Sequence, residues 1–234
     1  MTLPLGLVLA LTLMTQDERL HMSIVLCDQI GIDALTWSTA KTQATRVFDH
    51  AGIHVEWVDL DRGHKQCIPP PMGTHFLVIL SPKPPKDWIG PDAMGFAPAH
   101  TNRAYVFHDR VKRFMQRFGH DENEKSGIVL GHAIAHELGH LLIPGDAHGE
   151  GLMRPVWSYR VWTQLLEGTL RFNPDHATVI QDQLRKVGTA AKTHLQSADS
   201  EPEPAHESRS VASAAKPIGL ENFGELFIGD GTKL

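Results

Sequence analysis

His136, Glu137 and His140 stand in the order H-E-x-x-H. On a helix, residues four apart lie one turn apart on the same side, so the two imidazoles can grip a single ion. Glu137 is turned by about 100° from the first histidine. That is too far round to share the ion, yet near enough to take a proton from a metal-activated water. This residue set performs metal-assisted hydrolysis. The run leading into it, Ser126 to Ala135, holds no proline, and Ile128, Val129, Leu130, Ile134, Leu138, Leu141 and Leu142 place apolar atoms nearly all round the cylinder. Such a helix belongs inside a domain. Two histidines and a glutamate in it would cost several kcal/mol if unpaired, and a cation is the simplest partner. His132, one turn before His136, reads as a satisfied helical histidine, with a supporting or fourth contact as the alternative.

A hydrolytic zinc takes three protein ligands and leaves the fourth position to water, so zinc is the expected cofactor and a third ligand is required. Ala133 to Pro155, AIAHELGHLLIPGDAHGEGLMRP, resembles the metzincin metalloproteases, whose pattern H-E-x-x-H-x-x-G-x-x-H returns a third histidine above a methionine-containing turn. The spacing departs from that pattern, with Ile143 where glycine is expected and Asp146 where the third ligand is expected. Pro144 and Gly145 supply the helix stop two residues later, and from Gly145 the G-x-x-H order is intact. The resemblance therefore implies His148 as third ligand, with Asp146 as the fallback, since a carboxylate also binds zinc. Met153, in Gly151-Leu152-Met153-Arg154-Pro155, resembles the Met-turn residue, against the ordinary role of a core filler. Tyr159 follows it, where some metzincins carry a tyrosine near the metal. The lengthened spacer and the G-L-M-R run also resemble a group of small exported bacterial metallopeptidases.

What the resemblance implies is a zinc-dependent endopeptidase, with Glu137 as general base and a peptide or protein as substrate. The competing reading is a non-catalytic protein in which zinc ties the helix to the following loop; His132 or Asp146 as a fourth ligand would suit it. A hydrolase of non-peptide amides shares the same motif.

With 234 residues, 41% of them hydrophobic, and a net charge of −5, the chain has the size and polarity of one soluble domain with a sizeable core. Nucleic acid is not an expected partner. Leu3 to Met14 is an apolar run too short to cross a bilayer and about as long as a signal-peptide core. Export to a secreted or periplasmic location follows as an expectation, with no membrane span in the mature chain. No Lys or Arg precedes that run, which leaves a partly buried N-terminal segment as the alternative. Cys27 and Cys67 fit either one disulfide or two buried thiols.

The supporting elements follow from hydrophobic periodicity. Met22 to Cys27 reads as a buried strand, Asp33 to Ala51 as a helix closed by Gly52, and Ile53 to Val58 as a parallel strand completing a right-handed β-α-β unit. His75 to Leu80 supplies a third strand, and Gly95-Phe96-Ala97 and Ala104 to His108 are short strands. By resemblance, one of those last two is the antiparallel edge strand beside the cleft. Asp109 and Arg110 begin a helix through Phe118 as a surface pair or cap. Val156 to Glu167 and Pro174 to Val187 have helical spacing. The expected fold class is α+β, a zincin-like mixed twisted sheet with an antiparallel edge strand, packed on a buried H-E-x-x-H helix and C-terminal helices. The expected organisation is a signal-like segment at 1–21, the zincin-like domain at 22–187, and a low-complexity tail, mostly disordered, at 188–234.

Overall fold

In a computed structural model of the chain, the described residues are 20–59, 67, 74–84, 90, 92–119, 122–145 and 147–198. They form a five-stranded sheet in the order β2-β1-β3-β5-β4, built from β1 (Leu20–Asp28), β2 (Ile53–Asp59), β3 (His75–Ser81), β4 (Gly95–Phe96) and β5 (Arg103–Phe107). The first four in that order pair in parallel, while β4 runs antiparallel on the outside of β5. The helices are α1 (Ala34–His50), α2 (His108–Arg117), α3 (Glu122–Leu142), α4 (Tyr159–Leu166) and α5 (Pro174–Ala198), with one 3-10 turn at Gly151–Met153.

Ile24 to Cys27 of β1 and Phe76 to Leu80 of β3 are continuous apolar runs because both faces of the sheet are covered there. Met22, Ile24 and Leu26 point into the main core with the helices, whereas Val25 and Cys27 join Leu77 and Ile79 in a smaller cluster on the other face. Cys67 packs against that second cluster and forms a disulfide with Cys27. Of the two thiol readings, the structure selects the bridge.

The Asp33 carboxylate caps α1, accepting from the Thr36 N–H at 2.9 Å, which satisfies one of the free donors of the first turn. From there Trp37, Ala40, Ala44, Val47 and Phe48 form the buried stripe. Gly52, at φ 73°, turns the chain into β2. The α1 stripe lies against α3 at two glycines. A Cβ on Gly127 would meet Thr39 Cβ at 2.6 Å, and one on Gly131 would meet the Ala40 carbonyl oxygen at 2.5 Å. Small residues there bring the two backbones together and seat the histidine-bearing helix on the domain.

Several sequence expectations are corrected. Of the two edge-strand candidates, the Gly95-Phe96-Ala97 segment holds the edge, as β4, and β5 is an interior parallel strand. His108 does not end that strand. It begins α2, whose Val111, Phe114 and Met115 face inward at helical spacing. Asp109 pairs with Arg113 at 2.9 Å, one turn on, rather than with Arg110. The helix expected from Val156 begins at Tyr159, because Ser158 before it is extended (φ −93°, ψ −178°) and stands as its N-cap. The last helix opens with proline at its first position, as expected, and continues past Val187 to Ala198. The first strand starts at Leu20, inside the segment read as 1–21. The apolar run Leu3 to Met14 and residues 199–234 lie outside the described residues. Among those described, no helix is long and apolar enough to cross a membrane.

The α1–α3 contact yields a stability prediction. Gly131→Ala should destabilise the domain by about 1–3 kcal/mol, outweighing the ~1 kcal/mol gain in helix preference. Urea unfolding followed by circular dichroism checks it, and an unchanged or raised midpoint would contradict the close packing.

Candidate metal centre and cleft

The helical period sets the first two candidate ligands. His136 and His140 stand with ring centroids 4.9 Å apart and their Nε2 atoms 3.2 Å apart. Two nitrogens bound to one zinc at about 2.0–2.1 Å in a tetrahedron lie about 3.3 Å apart, so this pair already has the separation that the ion requires. The other nitrogen of His136, Nδ1, lies 2.8 Å from the Leu152 carbonyl oxygen. An acceptor there fixes the proton on Nδ1 and leaves the Nε2 lone pair for a metal.

After α3 the chain reverses at Gly145, where φ is 78°, a left-handed conformation that glycine adopts without strain. The reversal carries His148 back, 4.8 Å from the His140 ring and 6.0 Å from the His136 ring. One ligand atom from each of His136, His140 and His148 lies within 4.8 Å of the others. Since the helical pair is at 3.2 Å, the longer separations involve His148, an exposed loop residue. Asp146, the alternative ligand, lies outside the described residues. His132 is not in the group; its Nδ1 sits 2.8 Å from the Ile128 carbonyl oxygen within its own helix.

The turn beneath this triangle is tied on both sides. The Gly149 N–H donates to the Met153 carbonyl at 2.9 Å, and the Leu152 N–H to the Arg171 carbonyl at 2.7 Å. Gly151, at φ 66°, passes so close to that Arg171 oxygen that a side chain would collide with it. Met153 is fully buried, and its Sδ lies 2.6 Å from where a Cβ on Gly139 would stand. It thus fills the space below the ligand helix at the glycine between the two ligand turns. Tyr159 lies elsewhere: it is 69% exposed, with its ring tilted over Phe118 at 5.8 Å, and it does not line the cleft.

Glu137 is 5% exposed, and burial pushes its carboxyl up from 4.5 to about 8. No described residue donates a hydrogen bond to it. It lies against the edge strand, with Cδ 2.6 Å from where a Cβ on Gly95 would stand. Burial acts on His136 in the opposite direction, lowering it to about 4 despite the Leu152 hydrogen bond, with smaller contributions from the neighbouring histidines. The site therefore holds imidazole lone pairs and a buried carboxyl group with no hydrogen-bond donor to it among the described residues, a donor set that fits a divalent cation. Three imidazoles with one open corner suit zinc in particular.

The histidines and Glu137 open onto a cleft of about 710 Å³, bounded by the edge strand, by α2 and by the segment after Met153. Trp157 packs its edge against His136, with centroids 5.8 Å apart, and Phe114 of α2 packs on Trp157 at 5.7 Å. Arg110, Arg113, Arg117 and Arg154 also line it. None of these four arginines was expected there from the sequence. The spacing of the first three, at three and four residues, was the available signal for a shared helix face.

The described residues thus combine a mixed sheet, its antiparallel edge strand lying against a buried H-E-x-x-H helix, with three converging histidines. No family model and no curated protein matches the chain. Among solved structures, it is similar to a zinc-dependent peptidase from Methanocorpusculum labreanum, with 11% identity, a TM-score of 0.47, and coverage of 68% of this chain and 99% of that one. It is also similar to an archaemetzincin from Methanopyrus kandleri, with 18% identity, a TM-score of 0.42, and coverage of 70% and 96%. At those scores neither likeness decides fold or chemistry.

Two predictions follow from the geometry. Purified protein should bind about one zinc per chain, and replacing any of His136, His140 or His148 by Ala should weaken binding at least tenfold in a chelator competition; unaltered affinity in the His148 variant would remove it from the ligand set. The second concerns pH. Metal-free Glu137 titrates higher folded than unfolded, so its contribution to stability is full below about 4.5 and is lost as pH rises to about 8. A cation beside it reverses that loss. The increase in melting temperature on adding zinc should therefore be larger at pH 8 than at pH 5, and calorimetry showing the reverse would contradict the assignment.

Proposed function

We propose that the chain is a zinc-dependent endopeptidase. The observation that carries the reading is the buried Glu137 carboxyl, next in sequence to one of a metal-fitting histidine pair and without a hydrogen-bond or ion-pair partner among the described residues. In a merely structural zinc site a fourth ligand would close the sphere, and a buried unpaired carboxylate would have no role. Bound by His136, His140 and His148, zinc would supply Lewis-acid polarisation of a carbonyl and acidify water in the cleft.

The remaining work falls to the chain's own residues. The Leu152 carbonyl holds His136 in the tautomer that ligates. Glu137 takes a proton from water in the cleft and delivers it to the departing amine, for which it must be ionised. A neighbouring dication favours that ionised form against the burial that raises it. Burial also excludes competing donors from the carboxylate. The outer side of β4 offers backbone groups at the end of the sheet, and an extended peptide can pair with them beside Glu137. Peptide as substrate class rests on that edge.

Location is part of the proposal. The Cys27–Cys67 bridge favours an oxidising compartment, in keeping with export.

Glu137→Gln should leave zinc content unchanged and lower kcat/KM on an unfolded protein substrate by about 10²–10⁴-fold. Measuring bound zinc and hydrolysis on the same samples tests this. Undiminished hydrolysis in the variant would overturn the role of Glu137, and no hydrolysis by zinc-loaded wild type across substrates and pH would favour the structural-zinc reading.

A further inference from the structure

We infer that the cleft selects peptides carrying a carboxylate near the scissile bond, recognised by the arginines of α2 and by Arg154. This deepens the peptidase reading and rests on it. The chain as a whole is acidic, with net charge −5. Its cleft departs from that: among the described residues, Arg110, Arg113, Arg117 and Arg154 line it, with Asp92 and Glu137 as the acids.

The four arginines are not equally available. Arg113 pairs with Asp109 at 2.9 Å and Arg117 with Asp92 at 2.7 Å, in ion pairs whose side chains are all at least 38% exposed. Such pairs are weak and readily exchanged. Arg110 donates from Nη1 to the Gly90 carbonyl at 3.3 Å, but its Nε is buried with no hydrogen-bond partner. Arg154 is partly buried and, among the described residues, has neither an ion pair nor a hydrogen bond. A guanidinium withdrawn from water without a partner is costly, and a carboxylate, which can accept two parallel N–H bonds from its fork, is the complementary group.

Their placement ties this charge to the reaction centre. Arg154 directly follows Met153 and precedes Trp157 by three residues. Trp157 joins His136 at 5.8 Å to Phe114 of α2 at 5.7 Å, so a single layer of rings separates the ligand histidine from the helix that carries Arg110. A peptide laid along β4 enters the cleft that Glu137 and these arginines both line. Two sources can present the carboxylate, an Asp or Glu side chain, as in internal cleavage, or a free C-terminus, which would make the cleavage exopeptidic instead, and the test separates them.

Zinc-loaded Glu137→Gln protein is titrated into fluorescently labelled peptides of one length, with Glu or Gln at successive positions and a free or amidated C-terminus. Anisotropy at low and high salt reads affinity without turnover. Either a Glu peptide should bind at least about tenfold more tightly than its Gln counterpart, or a free-acid peptide more tightly than its amide; the arm that responds identifies the source. The preference should shrink with salt, fall to within about twofold in Arg154→Ala, and recover in part in Arg154→Lys, which retains the charge but not the fork. Equal affinities in both arms would overturn the inference. So would a preference that survives Arg154→Ala and Arg110→Ala in variants whose melting curves match the parent. Intact preference in binding, with wild type unable to cleave any of the peptides, would instead overturn the peptidase reading and leave the anion-selective cleft standing.

Discussion

One hydrogen bond joins the two halves of the site: His136 Nδ1 against the Leu152 carbonyl, at 2.8 Å. The histidine comes from a helix whose position is set by α1 and the sheet, and the carbonyl from a turn anchored on Arg171. Without that contact the imidazole could rotate or change tautomer, and its Nε2 would no longer be fixed beside His140. Met153 follows Leu152 and fills the space at Gly139, so the segment that orients the ligand also supports the helix bearing it. The glycines at 139, 145 and 151 are there because each allows a chain approach or reversal that a side chain would prevent.

The same packing makes the centre electrostatically unsettled on its own. Burial raises the Glu137 carboxyl and lowers the His136 imidazole, so each resists the charged form it would carry in water. A dication reverses the preference of the carboxylate and uses the neutral state of the imidazole. Gly95 contributes from the other side: by lacking a side chain it lets β4 lie against Glu137, which brings the sheet edge to that carboxyl. The position of the edge strand and the burial of Glu137 are therefore one structural fact.

Much of this was legible where geometry is local. Four-residue spacing on a helix converts directly into a shared face, so His136 and His140 were readable as a pair, and the cap at Asp33 and the run Met22 to Cys27 followed from equally short-range rules. His148 was reached through a resemblance, and its approach depends on the left-handed turn at Gly145. What escaped was set by long-range packing. Alternation within Gly95-Phe96-Ala97 and Ala104 to His108 could not decide which strand was the edge, since edge or interior is a property of the neighbours. Arg110 read as a surface residue because the orientation of α2 is determined by Phe114 meeting Trp157, forty-three positions away. The helix continuing to Ala198 shows Ala, Lys and Gln serving as helix formers in a stretch whose composition alone suggested a tail.

X-ray absorption at the zinc edge, on wild type and His148→Ala, tests the centre most directly. Wild type should show about three imidazole nitrogens at about 2.0–2.1 Å with one further light atom, and His148→Ala should show about two imidazoles. Identical spectra from the two proteins, or four imidazoles in wild type, would contradict a three-histidine site with an open corner.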